Sequence, residues 1–273
     1  MNINFTLATE LKKLLDQQRP LTKGEAERIA ADGRINMVYN SNALEGNSLT
    51  TFETKMVLQN GITVGKKPLK DYLEAVDLNE AADYIEDLVS KQRQFTERDL
   101  KQVHYLVFKS TSREDAGAYR RIAVEISGSQ HQPPEPFLIQ EKMTDLFSWL
   151  HKNENSLHPV ELAAIFHHRL TSIDPFVNGN GRTARLAMNL LLMQHGYPPV
   201  IVKASGESEV TYYQTLESGD TTGDRAPFVT FIKGTEEDTL MTYLDRLQVD
   251  YKGLLLITNN MDLSDNEGPQ SSM

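Results

Sequence analysis

The chain has 273 residues, with 38 acidic against 28 basic side chains, a formal net charge of −10 and no cysteine. These values exclude disulfides, thiolate metal centres and a cysteine nucleophile. They also argue against broad nucleic-acid binding, which needs a surplus of Lys and Arg. The hydrophobic share of 39% and charged share of 24% are those of a globular chain, not a disordered one.

The periodicity of apolar residues predicts helices over most of the chain. Leu7–Gln17 and Gly24–Tyr39 carry apolar residues three and four apart, and Leu69–Lys91 forms a longer stripe through Leu73, Val76, Leu78, Ala81, Ala82, Ile85 and Leu88. Thr96 reads as the N-cap of a helix running to about Lys109. Ile122, Val124 and Ile126 then alternate with Ala123, Glu125 and Ser127, followed by a Pro-rich turn and Phe137-Leu138-Ile139. This pattern predicts a β-hairpin over 122–139 in an otherwise helical protein. Helices are expected again at Gln140–Lys152, Pro159–Leu170, Gly181–His195, Glu209–Glu217 and Pro227–Leu247. The polar, acidic end, 259–273, is expected to be disordered.

No apolar run reaches the ~18–20 residues of a membrane span, and Met1–Phe5 lacks the basic start of a secretory signal. The expectation is a soluble, cytoplasmic protein without a membrane partner.

The stretch from Asp174 to Arg185 carries the chemistry. Asp174-Pro175 begins a turn, Phe176 can anchor it, and Gly179-Asn180-Gly181 leads into a helix with Arg182 and Arg185 in its first turns. Free N–H groups at a helix N-terminus favour anions, and arginines at i and i+3 share a helix face. The following helix is apolar almost all round, so a buried central helix with two arginines at its mouth predicts a phosphate pocket.

The motif formed by Phe176, Gly179, Asn180, Gly181, Arg182 and Arg185 resembles the signature of the Fic family (filamentation induced by cAMP). Gly117-Ala118-Tyr119-Arg120, the Val124–Pro134 segment, Gly196-Tyr197-Pro198-Pro199, Tyr212-Tyr213 and Asp224–Phe228 extend the likeness over roughly 21–232. The resemblance implies a mostly α fold: a helical bundle around a buried central helix with a short β-hairpin flap. The end of the long amphipathic pattern near Gln92–Thr96 divides the chain into a helical region at 1–95 and a core at 96–250 that holds both the flap at 122–139 and the active-site loop at 174–185.

The same resemblance implies transfer of AMP from ATP, with Mg²⁺, to a hydroxyl of a protein target docked on the flap at Val124, Ile126 and Gly128. Gly179, Asn180, Gly181 and Arg182 would cradle phosphates, and Arg185 would meet the γ-phosphate. The sequence departs from the family twice. Asp174 stands where the motif has its proton-accepting His, and Asn178 where it has an acidic metal ligand. An Asp is a weaker base than His by roughly 2.6 pKa units, and a neutral amide holds a cation less well than a carboxylate. Two alternatives follow: an impaired relative that binds nucleotide and regulates another chain, or a transferase using another nucleotide donor.

Upstream, Ser41, Glu45 and Gly46 match the inhibitory motif of Fic proteins with an N-terminal inhibitory helix, at 41–46. The resemblance implies that Glu45 pairs with Arg185 and fills the γ-phosphate position. Asn42 with Glu45 also fits a helix capping box. Tyr212 and Tyr213 are candidates to stack on adenine, or packing residues. His167 and His168 point about 100° apart on one helix and read as packing residues, while His131 marks a loop. Self-association is a possible partnership that no residue specifies.

Overall fold

The structure is a computed structural model that describes residues 3–126 and 128–255. The expected disordered end at 259–273 lies outside the described residues. Ten α-helices follow one another among those residues: α1 Thr6–Gln17, α2 Lys23–Ala43, α3 Thr51–Asn60, α4 Leu69–Ser90 and α5 Glu97–Phe108, then α6 Ile139–Asn153, α7 Pro159–Ile173, α8 Asn180–Gln194, α9 Gly206–Thr222 and α10 Ala226–Arg246. None of them is long and apolar enough to cross a membrane.

Local chemistry sets the ends of several helices. Thr96 caps α5 in a reciprocal capping box with Asp99, and Thr50 does the same for α3 with Glu53. α3 escaped the periodicity reading because only Thr54 and Val57 of its residues are buried, too few to make a stripe. α8 is closed two residues past its last turn by Gly196, whose φ of 79° suits glycine.

α8 is the centre of the bundle. Its residues from Asn180 through Leu192 are buried apart from Gly181, and it packs against α7, α4, α5 and α2. Buried Asn189 exchanges hydrogen bonds with Val200, donating to its carbonyl at 3.0 Å and accepting its N–H at 2.9 Å. These bonds fix the segment that leads from α8 to α9.

The β-hairpin expected over 122–139 is not formed: no strand occurs among the described residues. Residues 122–126 run without secondary structure, Pro136–Leu138 form a 3-10 turn and Ile139 opens α6. An alternating stripe becomes a strand only with a neighbour to pair with, and isolated two-stranded hairpins are marginal in water. Here Pro133, Pro134 and Pro136 remove ladder donors from the returning arm.

The candidate active site

The loop between α7 and α8 is closed by its own side chains. Buried Asn180 accepts the Phe176 N–H at 2.9 Å and donates to the Phe176 carbonyl at 2.9 Å. Phe176 is fully buried and stacks on the His104 ring of α5, with centroids 3.7 Å apart. His104 Nε2–H donates to the Asn178 carbonyl at 2.8 Å while its Nδ1 accepts the Gly117 N–H at 2.9 Å. Burial pushes the His104 pKa down to about 4, which keeps the ring neutral and this tautomer in place. Gly179 takes φ 78° where the loop enters α8.

The loop opens on a cavity of about 400 Å³ that collects Glu45, Ile126, Gly128, Asp174, Asn178, Gly179, Asn180, Gly181, Arg185, Tyr212 and Tyr213. Arg185 is the anchor. Its Nη2 donates to Glu45 Oε1 at 2.7 Å and to the Ser41 carbonyl at 2.8 Å. Nε donates to Ser41 Oγ at 2.9 Å, and Nη1 to the Tyr212 hydroxyl at 3.2 Å. Burial alone would lower the Arg185 pKa, but Tyr212 and Glu45 hold it above its ordinary value, so the guanidinium stays charged.

Gly181 matters for space and not for torsion. A Cβ built there would collide with Glu45 Oε1 and crowd Arg185. The Glu45 carboxylate therefore lies against the first turn of α8, where the helix dipole favours a negative group.

The two arginines of the loop diverge, although their spacing puts them on one helix face. Arg182 is 2% exposed and its Nη1 lies 3.2 Å from Glu74 Oε1 of α4, outside the cavity lining. The Asn180 side chain is committed to Phe176. Thus only the main chain of Gly179–Gly181 and the side chain of Arg185 face the cavity from the proposed cradle.

Asn42 lies inside α2 near its C-terminal end, so the capping-box reading of Asn42 and Glu45 fails: the segment ends a helix and does not begin one. Gly46, with φ 82°, finishes that turn. Tyr212 is 1% exposed and leaves no ring face open to a base. Tyr213 is 44% exposed, and its hydroxyl donates to the Leu44 carbonyl at 2.7 Å, one residue before Glu45. His167 and His168 are both buried, in keeping with packing roles.

Asp174 ends α7 in a left-handed conformation, φ 48° and ψ 58°. Burial pushes its carboxyl up to about 6, Arg120 opposes that rise, Glu45 adds to it and His131 opposes it. Asn178 is exposed at the cavity, and its Oδ1 accepts the Gly179 N–H at 2.6 Å.

Three residues of the site carried no signal in the sequence beyond their place in a resembling segment, or none at all. They are His104, Arg120 and Glu217. Glu217 of α9 accepts from the Ser129 hydroxyl and from the Gln130 N–H at 2.8 Å, while His131 Nε2 donates to the Ser172 carbonyl at 2.7 Å. Side chains therefore hold the segment that was expected to pair as a hairpin. Val124 does not line the cavity.

A helical bundle, with no strand among the described residues, whose buried central helix starts at a glycine-lined loop closed by a carboxylate from the turn after α2, defines the class. Residues 94–192 match the Fic/DOC family, and the chain carries a Fic/DOC-family domain. It is 35% identical over 220 residues to a protein adenylyltransferase Fic of Nematostella vectensis, covering 80% of this chain and 50% of that protein. With the protein of the same description from Drosophila mojavensis it shares 38% over 208 residues, 76% of this chain and 40% of that one. The chain spans about half or less of the length of these relatives. Among solved structures, a Fic-domain-containing signaling protein from Bacteroides thetaiotaomicron superposes with a TM-score of 0.82 at 27% identity, covering 89% of this chain and 97% of that one. Fic-1 (residues 134–508) from C. elegans superposes with a TM-score of 0.80 at 27% identity, covering 89% and 72%.

Proposed function

We propose that this protein transfers AMP from ATP to a hydroxyl of a protein target and that it restrains itself through Glu45. The observation that carries the reading is the Arg185–Glu45 contact of 2.7 Å inside the loop cavity. A carboxylate presents the same acceptor edge to a guanidinium as a phosphate does. While Glu45 is seated, the terminal phosphate of a nucleotide has no guanidinium to meet and no room beside Gly181.

Once Glu45 withdraws, the N–H groups at the start of α8 and the charged Arg185 offer a phosphate site. Asp174 is the proton acceptor. A carboxyl with a pKa of about 6 is a stronger base than an ordinary aspartate and is still mostly ionised at neutral pH. It accepts the proton of the target hydroxyl, whose oxygen forms a bond to the α-phosphorus as the bond to the β-phosphate oxygen breaks and pyrophosphate leaves.

For Mg²⁺ the protein offers one neutral oxygen, Asn178 Oδ1, and no cluster of three His, Asp or Glu among the described residues. That set fits a cation that arrives with the nucleotide and takes its other ligands from phosphates and water. When bound, such an ion would neutralise phosphate charge. Tyr213, with its partly open ring, is the better placed of the two tyrosines to face the base. The segment 122–139, at the mouth of the cavity, is where the target would dock.

The test is labelling of the Glu45→Gly protein with ATP carrying ³²P at the α or the γ position. Label retained on protein only from α-labelled ATP supports the reading. Label from γ-labelled ATP, or from neither, overturns it.

A further inference from the structure

Arg120 is 3% exposed, and no carboxylate among the described residues forms an ion pair with it, an unusual situation for a buried guanidinium. Its donors go to main-chain carbonyls from three separate segments. Nε donates to the Asp174 carbonyl at 2.7 Å, Nη1 to the Ile122 carbonyl at 2.9 Å and Nη2 to the Pro134 carbonyl at 2.7 Å. Its own N–H donates to the Pro175 carbonyl at 2.9 Å.

These partners are not equivalent. Ile122 and Pro134 are the two ends of the segment that has no strand pairing to hold it. Asp174 and Pro175 are the turn that carries the proposed base. A helix C-terminus such as that of α7 collects partial negative charge and favours a cation. The planar fork of a guanidinium can serve three directions at once, which an ammonium cannot.

We propose that Arg120 is a positioning residue of this site. It registers both ends of the 122–134 segment against Asp174, so that a hydroxyl docked on the segment is presented to the base. The inference rests on the AMP-transfer reading above. It is the fixed charge of Arg120 that also separates this role from mere packing. The groups facing Asp174 are Arg120 and His131, which favour its ionised form, and Glu45 in the turn after α2, which opposes it. Arg185, Glu217 and Asp220 line the same cavity.

The experiment compares Glu45→Gly with Glu45→Gly/Arg120→Gln and Glu45→Gly/Arg120→Lys, all in the full chain. AMP incorporation is followed against pH, ATP binding by calorimetry, and the Asp174 carboxyl by ¹³C NMR titration. Arg120→Gln should slow incorporation by roughly 10- to 100-fold, the scale of a 1 Å misplacement, with ATP affinity unchanged. It should also move the acid limb of the profile, and the NMR midpoint, to higher pH. Arg120→Lys should return the midpoint toward that of the parent while the rate stays low, because the charge is restored and the fork is not.

Parental rate and midpoint in Arg120→Gln would overturn the proposal, as would loss of ATP binding in step with the rate. If Glu45→Gly itself incorporates no AMP, the transfer reading fails. The NMR midpoint and tryptic cleavage after Arg121, expected faster in both Arg120 variants, then decide the positioning claim alone. An unmoved midpoint or unchanged cleavage overturns it.

Discussion

Asp174 sits at a left-handed backbone position, where Asp is among the few residues tolerated besides glycine. The same residue therefore closes α7 and presents a carboxyl to the cavity. Because a base works only when ionised, transfer by Glu45→Gly should rise with pH to a plateau, with a midpoint below about 6, since the Glu45 charge that helps raise the Asp174 carboxyl to that value is gone, and above the ordinary aspartate value of 3.8, since burial remains. A rate independent of pH between 3.8 and about 6 would remove Asp174 from this role. Asp174→Asn keeps the side-chain shape and the left-handed turn. It should fold with a thermal midpoint at neutral pH no lower than the parent's, since burial penalises the ionised carboxyl, but lower the rate by roughly 100-fold, the usual range of general-base catalysis.

At the scale of elements, the proposed restraint depends on where α2 ends. Ser41 and Glu45 both reach Arg185, and Tyr213 of α9 holds the Leu44 carbonyl between them. Removing that hydroxyl in Tyr213→Phe loses one hydrogen bond, worth about 0.5–1.5 kcal/mol, and should raise basal AMP incorporation by roughly 2- to 10-fold. Unchanged incorporation would mean that this bond does not hold the plug. The motif at 41–46 and the loop at 174–185 are legible in the sequence through the resemblance, which short contiguous segments carry. What spacing cannot show is direction. Arg182 and Arg185 are three residues apart, yet one turns to Glu74 of α4 and the other to α2. The hairpin fails for the same reason: alternation at Ile122, Val124 and Ile126 says nothing about whether a neighbouring strand exists. Arg120 and Glu217, which hold that segment instead, act across gaps of 54 and 88 residues in the chain. An amphipathic stripe of three turns or more is a local property, and α8 spans Asn180–Gln194 against an expected Gly181–His195. α9, whose stripe is weak, runs over Gly206–Thr222, well beyond the expected Glu209–Glu217.

The whole molecule carries a buried acid unrelated to the site. Glu236 of α10 is fully buried, and neither of its carboxyl oxygens has a hydrogen-bond partner among the described residues. Burial, with Glu237 adding to it, holds its pKa well above the ordinary carboxylate value. The folded state thus keeps a proton that the unfolded chain releases above its ordinary pKa of about 4.3. Its contribution is complete below that value and is lost as pH rises toward the folded pKa, by up to about 1.4 kcal/mol per pH unit. Glu236→Gln should therefore raise the thermal midpoint at pH 7–8 and leave it nearly unchanged at pH 4, a contrast that follows from this linkage. Equal shifts at both ends would show that the carboxyl is not protonated in the fold.

The same molecule is proposed to switch between two arrangements at Arg185, filled by Glu45 or by a phosphate. The most direct test is intact-protein mass after incubation with ATP and Mg²⁺, for the unaltered chain, Glu45→Gly, and Glu45→Gly/Arg185→Ala. The account predicts little or no added AMP on the first, addition on the second, and loss of that addition on the third. Equal addition on the unaltered chain and on Glu45→Gly would contradict restraint by Glu45. Full addition by Glu45→Gly/Arg185→Ala would contradict the role of Arg185.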